Sequence, residues 1–220
     1  ALAEEDAPMS FFLKANQAPT PKILLLFDNS ESVSPAFRGA GAVDFGMAIA
    51  ELLLASRPNA LLRVGTVNFG VDYQGPWAND LATVRSQLES IEGTGSDMWD
   101  ALSEAQTEGA TIIVLVTDGD ATDMASEDRR DAIARGAPIF ALGVGDMVNT
   151  ELLNQFADLS RGRAFLPQTP SDVVPLILEF IEARAIEDYT LTYRAPMTGP
   201  NERAVVASLA DQVARTAYTV

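Results

Sequence analysis

The chain has 220 residues, 47% hydrophobic and 21% charged, which suits one globular domain or one domain with a small appendage. Its formal net charge of −16 repels nucleic acid and anionic membranes and favours cations and basic partner surfaces. Cysteine and histidine are both absent, which excludes disulfides, thiolate nucleophiles, iron–sulfur clusters and the usual zinc sites, and removes the commonest general base.

Any metal must therefore be held by oxygen. No window approaches the roughly 20 consecutive apolar residues of a membrane span, so direct membrane insertion is not expected.

Apolar runs alternate with helical periodicity from Lys22 to about Glu187, the rhythm of a mostly parallel sheet with helices on both faces. Strands are expected at Ile23–Phe27, Leu61–Phe69, Thr111–Thr117, Ile139–Val144 and Arg163–Leu166. The first is an unbroken apolar run, the mark of a central strand covered on both faces. Helices are expected at Asp44–Ala55, Leu81–Ile91, Trp99–Thr107, Ser126–Arg135, Thr150–Leu159 and Ser171–Ala185. Ser126 and Asp128 suit a helix start. Tyr73–Trp77 reads as a short antiparallel edge strand, with Pro76 limiting its length. The ends differ in character. Ser10–Lys14, Tyr189–Tyr193, Arg203–Leu209 and Val213–Val220 are strand candidates, and Ala195–Glu202 is turn material. The expected organisation is a doubly wound α/β domain over residues 21–187, with a small antiparallel β appendage from residues 1–20 and 188–220.

Three loops carry candidate chemistry. The first strand ends in Asp28, with Ser30 and Ser32 two and four residues on. In such sheets ligands bind just beyond the carboxyl ends of the strands. A second loop, Gly93-Thr94-Gly95-Ser96-Asp97, offers hydroxyls between two helices. A third follows Thr111–Thr117 and holds Asp118, Gly119 and Asp120. If the first and third strands are neighbours, Asp28 and Asp118 approach each other, and two desolvated carboxylates repel unless a cation lies between them. Carboxylates with hydroxyls suit a hard divalent ion that keeps open positions.

Asp28-x-Ser30-x-Ser32, then Ser96-Asp97-Met98-Trp99-Asp100-Ala101-Leu102, then Val116-Thr117-Asp118-Gly119 resembles the von Willebrand factor A domain and its metal-ion-dependent adhesion site. The resemblance covers about Lys22 to Ala185. It implies Asp28 as anchoring carboxylate, Ser30 and Ser32 as direct hydroxyl ligands, and Asp118 as a second carboxylate acting through water. The family's threonine aligns with Ser96, five residues before Ala101. Serine offers the same oxygen without the methyl that stiffens the rotamer, and nearby Thr94 is the alternative if the loop is shifted. Asn29 and Glu31 fill the variable positions at the rim, with Glu31 read as facing solvent, and Asp97 is a candidate for supporting hydrogen bonds. Asp120 and Asp123 lack calcium-loop spacing and read as loop or helix-cap residues.

The resemblance implies a non-enzymatic module binding Mg²⁺, with Mn²⁺ or Ca²⁺ as alternatives, and a protein partner presenting an Asp or Glu carboxylate. Ala1-Leu2-Ala3 followed by acidic residues resembles a signal-peptidase product. With the family, it gives an extracellular or periplasmic expectation, the cytoplasm being the alternative. The other readings are a subunit of an intracellular ATPase-linked assembly and a metal-dependent phosphatase with Asp28 as nucleophile. Gly39-Ala-Gly41 lacks the third glycine of a dinucleotide loop, no P-loop occurs, and Ser30 has no histidine to activate it.

Overall fold

The computed structural model describes residues 20–167 and 169–182 in full, and the backbone of Ala183 and of six strands nearer the termini. The chain divides into two compact units, Pro19–Ala183 and the two terminal segments Ala1–Ala18 and Arg184–Val220.

In the terminal unit, strands β1 (Leu2–Glu4), β2 (Ala7–Pro8) and β3 (Phe11–Gln17) come from one end of the chain. The central unit runs β4 (Lys22–Asp28), α1 (Ala40–Ser56), β5 (Leu61–Val67), β6 (Val71–Tyr73), α2 (Leu81–Glu89), α3 (Met98–Ala105), β7 (Ile112–Thr117), α4 (Glu127–Arg135), β8 (Ile139–Gly143), α5 (Thr150–Ser160), β9 (Arg163–Phe165) and α6 (Pro170–Ala183). Strands β10 (Ile186–Tyr193), β11 (Glu202–Leu209) and β12 (Gln212–Thr219) complete the terminal unit. There β10 pairs antiparallel with β3, and a second antiparallel sheet has the order β12-β11-β1-β2. The turn expected over residues 195–201 lies outside the described residues, as do Ser10 and Val220 at the ends of two expected strands.

The central sheet has six strands in the order β6-β5-β4-β7-β8-β9, all parallel except β6. The apolar run of β4 explains its place in the middle. Ile23, Leu25 and Phe27 enter one core with residues of α1, α2 and α6, while Leu24 and Leu26 enter another with residues of α3, α4 and α5. A strand of alternating side-chain direction can be apolar throughout only if both faces are covered. The doubly wound arrangement expected from the sequence is the one observed.

Several boundaries differ from expectation. β5 ends at Val67, because Asn68-Phe69-Gly70 forms a hairpin tip closed by the Asn68 N–H donating to the Gly70 carbonyl at 2.9 Å. The edge strand is therefore Val71–Tyr73, registered Val67↔Val71, not Tyr73–Trp77; beyond that segment Ala78 makes an isolated antiparallel bridge with Leu62. Helix α1 begins four residues before Asp44, at Ala40, behind Gly39 with φ +54°.

Candidate metal centre

The order of the central sheet fixes where a site can form. From β4 the chain winds outward to β5 and β6 on one side, then returns to β7 and continues to β8 and β9 on the other. Between β4 and β7 the winding reverses, and the loops leaving their carboxyl ends diverge to opposite faces, opening a crevice. Asp28 is the last residue of β4, and Asp118 directly follows the last residue of β7.

Asp28 is 1% exposed. Its Oδ1 accepts the Ser30 backbone N–H at 2.9 Å, which curls the loop after β4 back over the strand end. That turn leaves the Ser30 and Ser32 hydroxyl oxygens 3.0 Å apart. Its Oδ2 accepts the Thr117 hydroxyl at 2.7 Å, and Thr117 Oγ1 in turn accepts the Gly119 N–H at 2.8 Å. Thr117 is fully buried, so this hydroxyl fixes the carboxylate plane and the start of the next loop together. Burial pushes the Asp28 carboxyl above its ordinary pKa of 3.8. Its bonds from Ser30 and Thr117 pull the other way, and the charge of Asp118 adds to the rise.

Asp118 is also buried, and its Oδ1 accepts the Asp120 N–H at 3.1 Å. Gly119 turns the chain at φ +82°, and a Cβ there would stand 3.1 Å from the Cβ and carbonyl oxygen of Asn149. Among the described residues no arginine or lysine pairs with Asp28 or Asp118; the ion pairs lie elsewhere. No three acidic side chains cluster there tightly enough to clasp an ion by carboxylates alone. The centre is a mixed set: two buried carboxylates that repel each other, with hydroxyls alongside. That chemistry fits a hard divalent cation with open positions.

The Gly93–Asp97 loop is fastened on three sides. Asn29 Nδ2 donates to the Gly93 carbonyl at 2.9 Å, and Asn29 Oδ1 accepts the Gly39 N–H at 3.1 Å, so Asn29 ties this loop to the one after β4. The Asp97 N–H donates to the Asn68 carbonyl at 3.1 Å. A Cβ on Gly95 would come within 2.7 Å of the Asn68 Cα, so only glycine permits this approach. On the third side the Ser96 carbonyl accepts the Thr122 N–H at 3.0 Å, while Asp97 Oδ1 accepts the Thr122 hydroxyl at 2.6 Å. Ser96 is buried, whereas Thr94 and Glu31 face solvent, and Ser32 is exposed at the mouth.

Thr117 and the β8–α5 loop were not evident from the sequence as functional positions, whereas Asp123 is a helix cap as expected, though for α3. Thr117 ends an apolar run and looked like its last strand residue; its signal was a hydroxyl directly before Asp118. Asp123 accepts the Trp99 and Asp100 N–H groups at 3.1 and 2.9 Å, so the start of α3 is capped from the third loop and not by its own N-cap, Asp97. The loop between β8 and α5 also belongs to the site. With Ser32 and Asp118, its Asp146, Met147 and Asn149 line a cleft of about 470 Å³.

A family model described as the von Willebrand factor type A domain matches residues 22–177. This chain belongs to that family. A search of the curated proteins gives no match. Among solved structures, the von Willebrand factor A chain is similar to an aerotolerance-related membrane protein from Bacteroides fragilis, at 16% identity and TM-score 0.62, over 74% of this chain and 99% of that one. It is similar to a manganese-loaded TRAP protein from Plasmodium vivax, at 16% identity and TM-score 0.57, over 96% and 98% of the two chains. It also resembles proximal thread matrix protein 1 from the mussel byssus, whose structure has a zinc-occupied MIDAS motif, at 17% identity and TM-score 0.55, over 86% of this chain and 50% of that one. At such identities the likeness is one of fold. No helix among the described residues of this A domain is long and apolar enough to cross a membrane.

Proposed function

We propose that this von Willebrand factor A domain is a divalent-metal-dependent protein-binding module and not an enzyme. Asp28, Ser30, Ser32, Ser96 and Asp118 would hold Mg²⁺, or Mn²⁺ or Ca²⁺, with the carboxylates anchoring and the hydroxyls completing the set. A bound ion supplies positive charge and an open position for an anion. The chain's own groups do the rest. Thr117 and the Ser30 N–H orient Asp28, and Asn29 and Thr122 hold the Ser96 loop against its neighbours.

The single observation carrying the reading is the pair of buried carboxylates at the winding reversal, without a basic side chain to neutralise them. The partner is a protein that brings an Asp or Glu carboxylate, because in a chain of net charge −16 a cation is what makes an anion's approach favourable. The setting we favour is extracellular or periplasmic, with the cytoplasm as the alternative.

Titration with Mg²⁺ or Mn²⁺, followed by calorimetry, should show one saturable site that EDTA removes. Asp28→Ala should abolish it while the far-ultraviolet circular dichroism stays unchanged. Metal binding that survives Asp28→Ala would refute the assignment.

A further inference from the structure

The three most exposed large apolar side chains among the described residues are Phe69 at 83%, Met124 at 85% and Met147 at 91%. All three stand on loops at the carboxyl ends of parallel strands, around the metal centre. Phe69 is the tip of the β5–β6 hairpin, and the neighbouring Asn68 carbonyl holds the Asp97 N–H of the Ser96 loop. Met124 follows Asp123, the residue that caps α3 from the third loop, and its carbonyl accepts Arg129 Nη1 at 2.9 Å. Met147 lines the cleft that Ser32 and Asp118 share.

Single exposed apolar residues are ordinary, but three grouped on one rim, each next to a residue that shapes the metal centre, mark a contact surface. From this grouping we infer that Phe69, Met124 and Met147 are specificity anchors, and that the partner is a protein loop whose metal-binding Asp or Glu is flanked by apolar side chains. The inference rests on the metal-dependent reading above and names the chemistry of its partner.

Two further observations favour that occupant. Met147 shares its cleft with Ser32 and Asp118, and Phe69 and Met124 adjoin Asn68 and Asp123, which fasten the Ser96 loop and the start of α3, so the apolar groups border the loops that shape the centre. Asp120 and Asp146 are exposed on the loops that carry Met124 and Met147, and Glu31 is exposed on the loop after β4. Their charge opposes an anionic lipid surface and favours a partner that is basic outside the apolar contact. Phe69 stands at the tip of a hairpin whose flanking strands are paired, so its backbone needs little further ordering on binding.

The test is selection of a phage-displayed library of disulfide-closed loops on the full chain in Mg²⁺, with one central position fixed as Asp or Glu and its flanks randomised. Leu, Met, Phe or Trp should be enriched beside the acid, and EDTA should release the bound phage. The selected loops should bind about tenfold or more tightly than the same loops with serine flanks, the scale of burying one or two large apolar side chains. The combined variant Phe69→Ser, Met124→Ser, Met147→Ser should lose that margin and keep the wild-type Mg²⁺-induced thermal shift. EDTA-released loops with no apolar preference, or a preference that persists in the triple variant, overturn the anchors and leave the metal reading standing. Loops that EDTA does not release, or no enrichment at all, overturn the partner reading and the anchors with it.

Discussion

Asp28 occupies a position that would be unfavourable without a cation. Its carboxyl is buried against a second carboxylate, and its pKa is raised above 3.8 mainly by that burial. The sign of the consequence follows from linkage. A group that holds its proton more tightly when folded stabilises the fold below its unfolded pKa, and that contribution is lost as pH rises through the folded value. In EDTA, the Asp28 contribution to stability should therefore fall as pH climbs from about 3.8 through the raised value. A proton also competes with a metal for the same oxygens, so Mg²⁺ affinity should rise over the same window. Parallel Mg²⁺ titrations between about pH 4 and 7 check this; an affinity that is flat across the window would remove Asp28 from the ligand set. Ser96 and Thr94 can be separated in the same way. The sequence motif alone left both open, and burial distinguishes them: Ser96 is enclosed and its loop fastened, while Thr94 faces solvent. Ser96→Ala should weaken Mg²⁺ binding about tenfold or more, on the scale of a lost ligand or supporting contact, and Thr94→Ala should leave it unchanged. Equal losses, measured by calorimetry, would mean that the loop carries the metal through another oxygen.

At the scale of elements, the legible part of the fold was the part with an unambiguous period. β4, β7 and β8 are buried along nearly their whole lengths, and their apolar runs announced it. The start of α4 was also plain from Ser126, whose hydroxyl accepts an N–H of the first turn, and α5 begins at the expected Thr150, where the Asn149 side chain accepts another. The start of α1 was hidden by small residues. Gly39-Ala40-Gly41 looks like a loop, yet Gly41 lies in the helix and is glycine for packing: a Cβ there would stand 2.2 Å from the Ala36 carbonyl oxygen. The β5–β6 edge was misplaced for a related reason: Phe69 extends the apolar pattern of β5 but points to solvent from a hairpin tip. The start of α3 is the case with a functional consequence. Asp123 satisfies two of its orphan N–H groups from a distant loop and pairs with Arg129 at 3.2 Å, so this carboxylate fixes the helix that follows Ser96 to the loop that follows Asp118. The sequence marks Asp123 as a loop or helix-cap residue, but no local spacing reveals which helix it caps. Asp123→Ala should cost about 1–2 kcal/mol in urea unfolding, the upper range for a helix cap. It should also weaken Mg²⁺ binding, although Asp123 is no ligand. Lost stability with unaltered metal affinity would show that α3 does not position Ser96.

For the whole molecule, the order of the strands turns separated motifs into one centre. Asp28, Ser96 and Asp118 are far apart in sequence, and spacing alone suggested their convergence only through the assumption that β4 and β7 are neighbours. The observed parallel pairing of β4 with β7, Phe27 opposite Val116, supplies it. The loop after β8 was absent from the sequence reading because its Asp146 and Met147 belong to no motif; its membership follows from β8 lying next to β7. Since the proposed ligands come from three loops set by that sheet, metal affinity and global folding should be linked. An ion that binds only the folded chain adds about 2.7 kcal/mol at one hundred times its dissociation constant. For a unit of this size that corresponds to a rise of roughly 5–10 °C in melting temperature. Calorimetric scans in saturating Mg²⁺ and in EDTA should differ by this amount. Asp28→Ala and Ser30→Ala should melt at the same temperature in both. If the scans coincide for the wild-type chain, its carboxylate pair is neutralised by some means other than a divalent ion, and the centre is structural.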